Sequence, residues 1–125
     1  MTVTATPLYN TIIDTLADIG VPANLRGHQY LADSIEQVCL ANSRLSMTKD
    51  VYTYVAAKRN TTARSAERCI RHAVELAFLN GDAGVIYSIF KNSVSAERGK
   101  ATNGNFIYKV ADTVCRKLCA VKQGV

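Results

Sequence analysis

The segment 61–81, TTARSAERCIRHAVELAFLNG, constrains the fold more than any other part of the chain. The hydroxyls of Thr61 and Thr62 suit the start of a helix, where a side-chain oxygen accepts a hydrogen bond from a free backbone N–H. Asn80 and Gly81 suit its end, because both tolerate the left-handed backbone that often follows a last helical turn. The segment therefore predicts one long helix.

Spacing at about 100° per residue divides this helix, about 62–80, into an apolar half and a basic half. Arg64, Arg68 and Arg71, hereafter the basic face, fall with Glu75 within about 60° of one another, and Glu67 and His72 flank them on opposite sides. The apolar half contains Ala66, Cys69, Ile70, Ala73, Leu76 and Ala77. Arginines three and four residues apart repel one another, so stability gives no reason for them. The pattern favours an anion-binding surface, although many charged helix faces are only solvated.

The distribution of charge also favours a polyanionic partner. The chain has 15 Lys and Arg against 10 Asp and Glu, which gives a net charge of +5. Five of the basic residues lie in positions 58–71, together with a single acid, Glu67. Such clustering is typical of proteins that bind nucleic acid or an acidic membrane surface.

The other segments have helical periodicity, and none alternates with the period of a strand. The predicted helices run from Pro7 to a stop at Gly20, from His28 to Ala41, Thr48 to Lys58, 62 to 80, from Asp82 to Phe90, and from Thr102 to about residue 120. Thr6, Asp82 and Thr102 are predicted to cap the first, fifth and sixth of them. Residues predicted to be buried outside the long helix are Leu8, Ile12, Ile13, Leu16, Ile19, Leu31, Ile35, Val38, Cys39, Val51, Tyr52, Val55, Val85, Ile86, Ile89, Phe90, Phe106, Ile107, Val110, Ala111, Val114 and Leu118. The sequence predicts an all-α fold of six helices in one domain, 1–125, with an ordered core of about 6–120.

The third and fourth predicted helices have the layout of a helix-turn-helix. The third is short, a tight connection at Arg59 and Asn60 follows it, and the fourth carries the basic face. In this motif the second helix enters the major groove of DNA.

Metal, cofactor and enzyme chemistry is not indicated by the sequence. The four cysteines form no CxxC pair, and Cys39, Cys69 and Cys115 are predicted on apolar helix faces as reduced thiols. Acids are scattered singly, and no nucleophile with a base or phosphate-binding loop is evident, so we expect no enzyme activity. Without a signal peptide or an apolar run near the required 18 or so residues, we expect a cytoplasmic protein with no membrane contact.

Three runs of sequence resemble the C-terminal effector domains of the stage 0 sporulation protein A family, which are sporulation response-regulator transcription factors. RNTTARSAERCIRHAVELAFLNGD is similar to their helix-turn-helix, DIGVPANLRGHQYLADSIEQV to their opening, and KATNGNFIYKVADTV to their last helix. The most specific pieces are IGVPA, ER-x-IRHA-x-E and TN-x-x-FI. The resemblance, over roughly residues 10–118, implies a six-helix domain whose fourth helix enters the major groove of a short asymmetric box, often in tandem.

The resemblance also implies roles for individual residues. Glu67 and Arg68 match the family's base-reading pair, and Arg71 and His72 match residues that mainly contact the DNA backbone. The family has Ser-Arg where this chain has Arg64-Ser65, which swings the arginine by about 100°. Arg64 still joins the basic face, and we predict base reading by Arg64, Glu67 and Arg68. Arginine binds guanine O6 and N7, and glutamate accepts a hydrogen bond from cytosine N4.

Further contacts to the DNA backbone are predicted at positively charged or helix-start positions. These residues are Lys58, Arg59, Arg98, Lys100, Thr102 and Asn103. Thr102 and Asn103 lie at the start of the sixth helix, where free N–H groups favour a phosphate. The alternative for Thr102 is that it only caps the helix.

Two functions stay open at this point. The first is a sequence-specific regulator that binds double-stranded DNA, with homodimerisation or tandem binding and contact with RNA polymerase as further interactions. The second is a protein–protein module that pairs with a full-length paralogue or RNA polymerase without regulated promoter binding. The basic face favours the first, because a pure interaction module does not need three arginines there. Family members carry a phosphorylated receiver domain, for which this chain lacks the length, so we expect an excised effector domain or a natural stand-alone version.

Overall fold

The computed structural model describes residues 6–91 and 101–123. Within these ranges the chain has no strand and forms six α-helices: α1 Pro7–Ile19, α2 Arg26–Leu40, α3 Tyr52–Arg59, α4 Ala63–Asn80, α5 Ala83–Phe90 and α6 Asn103–Gln123. One wider helical turn, Met47–Val51, leads directly into α3. The all-α prediction is confirmed. Several boundaries differ from the prediction. Arg26 already lies in α2 and Arg59 in α3 rather than in connections, and α3 begins at Tyr52, after the wider turn, rather than near Thr48.

Polar side chains cap the helices where the sequence predicted caps. Thr6, Thr62 and Asp82 each accept a hydrogen bond at 3.0 Å from the backbone N–H three residues further on. Thr102 does the same at 3.1 Å. Each cap satisfies one of the N–H groups that a helix start leaves without an intrahelical partner.

The end of α4 differs from its prediction. Gly81 has an extended backbone, with φ −78° and ψ −176°, and not the predicted left-handed conformation. A Cβ atom at this position would lie 2.3 Å from the carbonyl oxygens of both Ala77 and Ile19. The glycine is therefore required by the close approach of α1 to the end of α4. The left-handed glycine cap lies instead at Gly20, where φ is 103°.

The core lies around α2 and α6, which pack against each other and against most other helices. α2 also contacts α1, α3 and α4, and α6 also contacts α1, α4 and α5. The inward residues predicted for α3 and α6 lie in this core or pack against it. One buried position in α4 differs from the prediction. Val74 is buried and the predicted Leu76 is only partly buried, because Val74 lies nearer the centre of the buried stripe. Cys115 is exposed, contrary to its predicted place on an apolar face.

Three phenylalanines join the second half of the chain. The rings of Phe78 and Phe90 lie 5.2 Å apart between centroids, and those of Phe90 and Phe106 lie 5.3 Å apart. Phe90 and Phe106 are almost completely buried. Aromatic pairs at such distances contribute stability beyond the area they bury. This cluster holds α4, α5 and the first turns of α6 together.

Candidate nucleic-acid interface

A tight turn of three residues, 60–62, sets α3 against α4. Asn60 has a left-handed backbone, with φ 56° and ψ 52°, which asparagine tolerates better than most residues. The N–H of Thr61 donates to the carbonyl of Ala56 at 2.9 Å, which satisfies one of the last carbonyls of α3. The chain thus reverses between the two helices and leaves one side of α4 open.

The open side of α4 carries the basic face. Arg64, Arg68 and Arg71 are exposed, while the opposite stripe of the helix is buried. Arg71 donates to Glu67, with Nη1 and Oε2 2.7 Å apart. Within residues 6–91 and 101–123, Arg64 and Arg68 form no ion pair. Two exposed guanidinium groups on α4 are therefore left without an ion-pair partner among the described residues.

On one side, the basic face is bordered by the start of α2. A groove of about 620 Å³ lies there, and its lining includes Arg26, Arg64, Ser65, Arg68 and His72. Helix α2 reaches this position because it touches α4 at a glycine. A Cβ atom on Gly27 would lie only 2.2 Å from the carbonyl oxygen of Cys69.

Arg26 is a candidate that the sequence did not identify. Its side chain is exposed and borders the same groove as the arginines of α4, although it lies far from them in the sequence. The local sequence places it only at the end of a polar connection. Its neighbourhood depends on the packing of α2 against α4, which periodicity within either helix does not reveal.

On the other side, the basic face is bordered by the start of α6. The side-chain amide of Asn103 donates to the hydroxyl of Tyr52 at 3.2 Å and to the backbone carbonyl of Glu67 at 3.3 Å. Burial raises the pKa of the Tyr52 phenol, and the Asn103 hydrogen bond partly opposes this rise. The phenol therefore keeps its proton at neutral pH. A second groove, of about 520 Å³, lies between these residues and Arg71.

Lys58 and Arg59 have partners inside the protein. Arg59 donates to both carboxylate oxygens of Asp33, through Nε at 2.6 Å and Nη2 at 2.9 Å, and the Asp33 side chain is completely buried. Hydrogen bonding to Asp33 raises the pKa of Arg59. Lys58 Nζ lies 3.4 Å from the same carboxylate and 3.9 Å from Glu36. These ion pairs join α3 to α2. Contact of Lys58 and Arg59 with the DNA backbone stays a prediction.

Of the remaining candidate residues, two are described by the structure and two are not. Thr102 is exposed and caps α6 through its hydroxyl. His72 is exposed at the edge of the first groove. Arg98 and Lys100 lie outside the described residues. No single helix in the described part of the chain is long and apolar enough to cross a membrane, and α4 with α5 meets that criterion only as a pair bent by 117°.

An all-helical domain with an open, arginine-rich helix between two other helix starts has the features expected of a DNA-binding regulatory domain. Comparison with known families gives the particular one. Residues 12–114 match the family of sporulation initiation factor Spo0A, C terminal, and the chain belongs to it. This is a family of DNA-binding domains of sporulation regulators and not of enzymes.

Proposed function

We propose that this domain is a sequence-specific transcription regulator that inserts α4 into the major groove of double-stranded DNA. The observation that carries the proposal is the pair of exposed guanidinium groups, Arg64 and Arg68, on a helix whose other side is fixed in the core. The major groove is about 12 Å wide, and a helix with its side chains is about 10–12 Å across. In this proposal α3 and α4 form the helix-turn-helix.

Base reading belongs to Arg64, Arg68 and Glu67. Among the described residues neither arginine has an ion-pair partner, and arginine donors bind guanine O6 and N7. Glu67 differs, because its carboxylate already accepts a hydrogen bond from Arg71. A carboxylate has about four lone-pair sites, so Glu67 can keep Arg71 and still accept from a cytosine amino group. Arg71 is assigned to the DNA backbone, and its bond to Glu67 leaves it further donors for a phosphate.

Backbone contacts flank the recognition helix. His72 and Arg71 lie on opposite edges of the basic face, each bordering a groove. At the start of α6, the N–H of Asn103 precedes the first intrahelical bond, which Phe106 donates to the carbonyl of Thr102. That N–H and the helix dipole favour a phosphate. Lys58 at the end of α3, and Arg98 and Lys100 before α6, complete this set.

The structure leads us to change the proposed set of DNA-backbone contacts at two residues. We add Arg26, because it borders the groove on the α2 side and extends the positive surface beyond α4. Arg59 takes a supporting part, since its guanidinium is held by the buried Asp33 and reaches a phosphate only by sharing its donors. Phosphate contacts from both sides of α4 would fix its register on the duplex, and the bases would then be read by α4 alone.

Selection of bound sites from random DNA, repeated at two salt concentrations, tests the proposal. We expect enrichment of a short asymmetric box. On that box, Arg68→Ala should cost about 1–3 kcal/mol, with a much smaller loss on scrambled DNA. Arg116→Ala is the matched control, because it removes the same charge from an exposed position on α6, distant along the helix from Asn103. A protein–protein module without promoter binding would instead enrich no box and would not distinguish Arg68→Ala from Arg116→Ala.

A further inference from the structure

Two cysteines from distant parts of the chain bring their thiols together away from the basic face. Cys39 on α2 and Cys115 on α6 have their sulfur atoms 3.7 Å apart, and the Cys115 thiol donates to the Cys39 sulfur. The Cys39 thiol in turn donates to the carbonyl of Ala111 at 3.8 Å. Both cysteines are free thiols. The contact therefore joins the two central helices through a pair of oxidisable groups.

The two thiols differ in their surroundings. Cys115 is exposed, whereas Cys39 is half-buried. Burial raises the pKa of the Cys39 thiol to about 12, and the neighbouring Cys115 and Glu36 add to this rise. Cys39 is consequently protonated at neutral pH. Cys115 is the sulfur that a dissolved oxidant reaches first, since accessible thiolates are the ones that react.

We propose that Cys39 and Cys115 form a modification site at which hydrogen peroxide produces a disulfide between α2 and α6. Cys115 first loses its proton to water. Its thiolate attacks one peroxide oxygen, the O–O bond breaks, and the released hydroxide takes up that proton and leaves as water. Cys115 is then a sulfenic acid. The Cys39 sulfur attacks the Cys115 sulfur, the S–O bond breaks, and the departing hydroxide takes the Cys39 proton to form water. Two thiols and one hydrogen peroxide thus give one disulfide and two waters.

The geometry suits this reaction because the sulfurs already touch. To form the bond they must approach from 3.7 Å to about 2.05 Å. The disulfide would close a long loop of the chain, which stabilises a fold by restricting its unfolded state. Residues 26 and 39 are separated by about 20 Å along α2, so the bond forms far from the proposed DNA-binding surface.

Peptide mapping of the full chain after treatment with hydrogen peroxide tests the proposal. Free thiols are blocked by alkylation, and the protein is digested with trypsin. We expect peptide 27–44 joined to peptide 110–116, separable by dithiothreitol, and a higher midpoint of thermal unfolding for the oxidised protein. This readout is independent of DNA binding, so its failure leaves the proposed function untouched.

Three variants complete the experiment. Cys119→Ser removes the neighbouring exposed cysteine of α6 and should form the same linked peptides. Cys115→Ser should abolish them with little effect on the fold, because the position is exposed. Cys39→Ala should leave Cys115 to accumulate as a sulfenic acid that a dimedone probe captures. The proposal is overturned if the wild-type protein gives only singly oxidised Cys115, a disulfide-linked dimer, or two alkylated thiols.

Discussion

At the scale of single residues, Glu67 has two competing roles. In the free protein its carboxylate pairs with Arg71 at 2.7 Å, and both side chains are partly exposed. A pair of this kind stabilises a helix by only about 0.2–0.5 kcal/mol. The carboxylate also lies beside the basic face, where it would repel phosphates. The ion pair with Arg71 accounts for where the Glu67 carboxylate lies in the free protein. Base reading by Glu67 requires a separate test.

Replacement of Glu67 separates these roles. Glu67→Ala should raise affinity for scrambled DNA, because a negative charge is removed, and should relax the choice at one base pair by about 1–3 kcal/mol. Glu67→Gln keeps the side-chain length and should move the preference at that base pair towards adenine, which glutamine binds best. Affinities on matched and scrambled sites measure both effects. If the ratio between them stays unchanged in both variants, Glu67 is only the ion-pair partner of Arg71.

The buried carboxylate of Asp33 gives Arg59 a structural role. Arg59→Ala would leave Asp33 in the interior with Lys58 as its remaining cation, 3.4 Å away. Loss of one partner from a fully buried ion pair costs about 3–5 kcal/mol, and Arg59→Ala should cost part of this because Arg59 is 30% exposed and Lys58 remains. Lys58→Ala is the control, since the lysine side chain is 39% exposed and such pairs contribute about 0–1 kcal/mol. Denaturant unfolding should show this difference, and an equally small effect of Arg59→Ala would contradict it.

At the scale of helices, the contact between α2 and α4 depends on Gly27. A Cβ atom there would lie 2.2 Å from the Cys69 carbonyl oxygen and 2.8 Å from the Ala73 Cβ, so Gly27→Ala must push the helices apart. We expect a loss of at least about 1–3 kcal/mol in unfolding free energy, together with weaker specific DNA binding. Gly84→Ala is the matched control. Among the described residues its Cβ atom would meet the Asp82 side chain alone, at 3.3 Å, and alanine favours the helix.

That prediction rests on packing which the sequence does not disclose, whereas the helices themselves follow from local chemistry. Hydroxyl and carboxylate caps at Thr6, Thr62 and Asp82 act on N–H groups three residues away, so local sequence suffices to place them. The apolar spacing of α4 likewise indicates which side of that helix is open. Local pattern therefore predicts the elements and the orientation of the basic face.

Contacts between distant segments account for what the sequence missed. Asp33 and Arg59 meet only when α2 and α3 pack, and before that an arginine near a turn resembles any other exposed cation. In the sequence, Gly81 has the pattern of a left-handed helix cap, and only the contact with the end of α1 explains why a glycine is required there. Cys39 and Cys115 show no motif spacing, yet the packing of α2 on α6 brings their sulfurs together. Each case requires the partner helix, which periodicity along one segment does not identify.

At the scale of the whole molecule, the fold places two helix starts beside α4. The start of α2 is held there by the approach at Gly27, and the start of α6 by the hydrogen bonds of Asn103 and the phenylalanine cluster. Arg26 and the N–H groups at the start of α6 thus lie close to the arginines of α4. In the proposed complex these positions would contact the phosphate backbone on both sides of α4.

Such an arrangement predicts a steep dependence of DNA affinity on salt. If about six phosphates are contacted, the slope of log affinity against log salt concentration should be near −5, from about −0.9 for each phosphate. Arg26→Ala should make the slope less steep by about 0.9 and weaken matched and scrambled sites about equally, because a phosphate contact carries no sequence information. Arg116→Ala removes the same charge from the surface of α6 and should leave the slope unchanged. A flat response of the wild-type protein would contradict DNA binding itself, and equal slopes for the wild type and Arg26→Ala would remove Arg26 from the interface while leaving α4 in place.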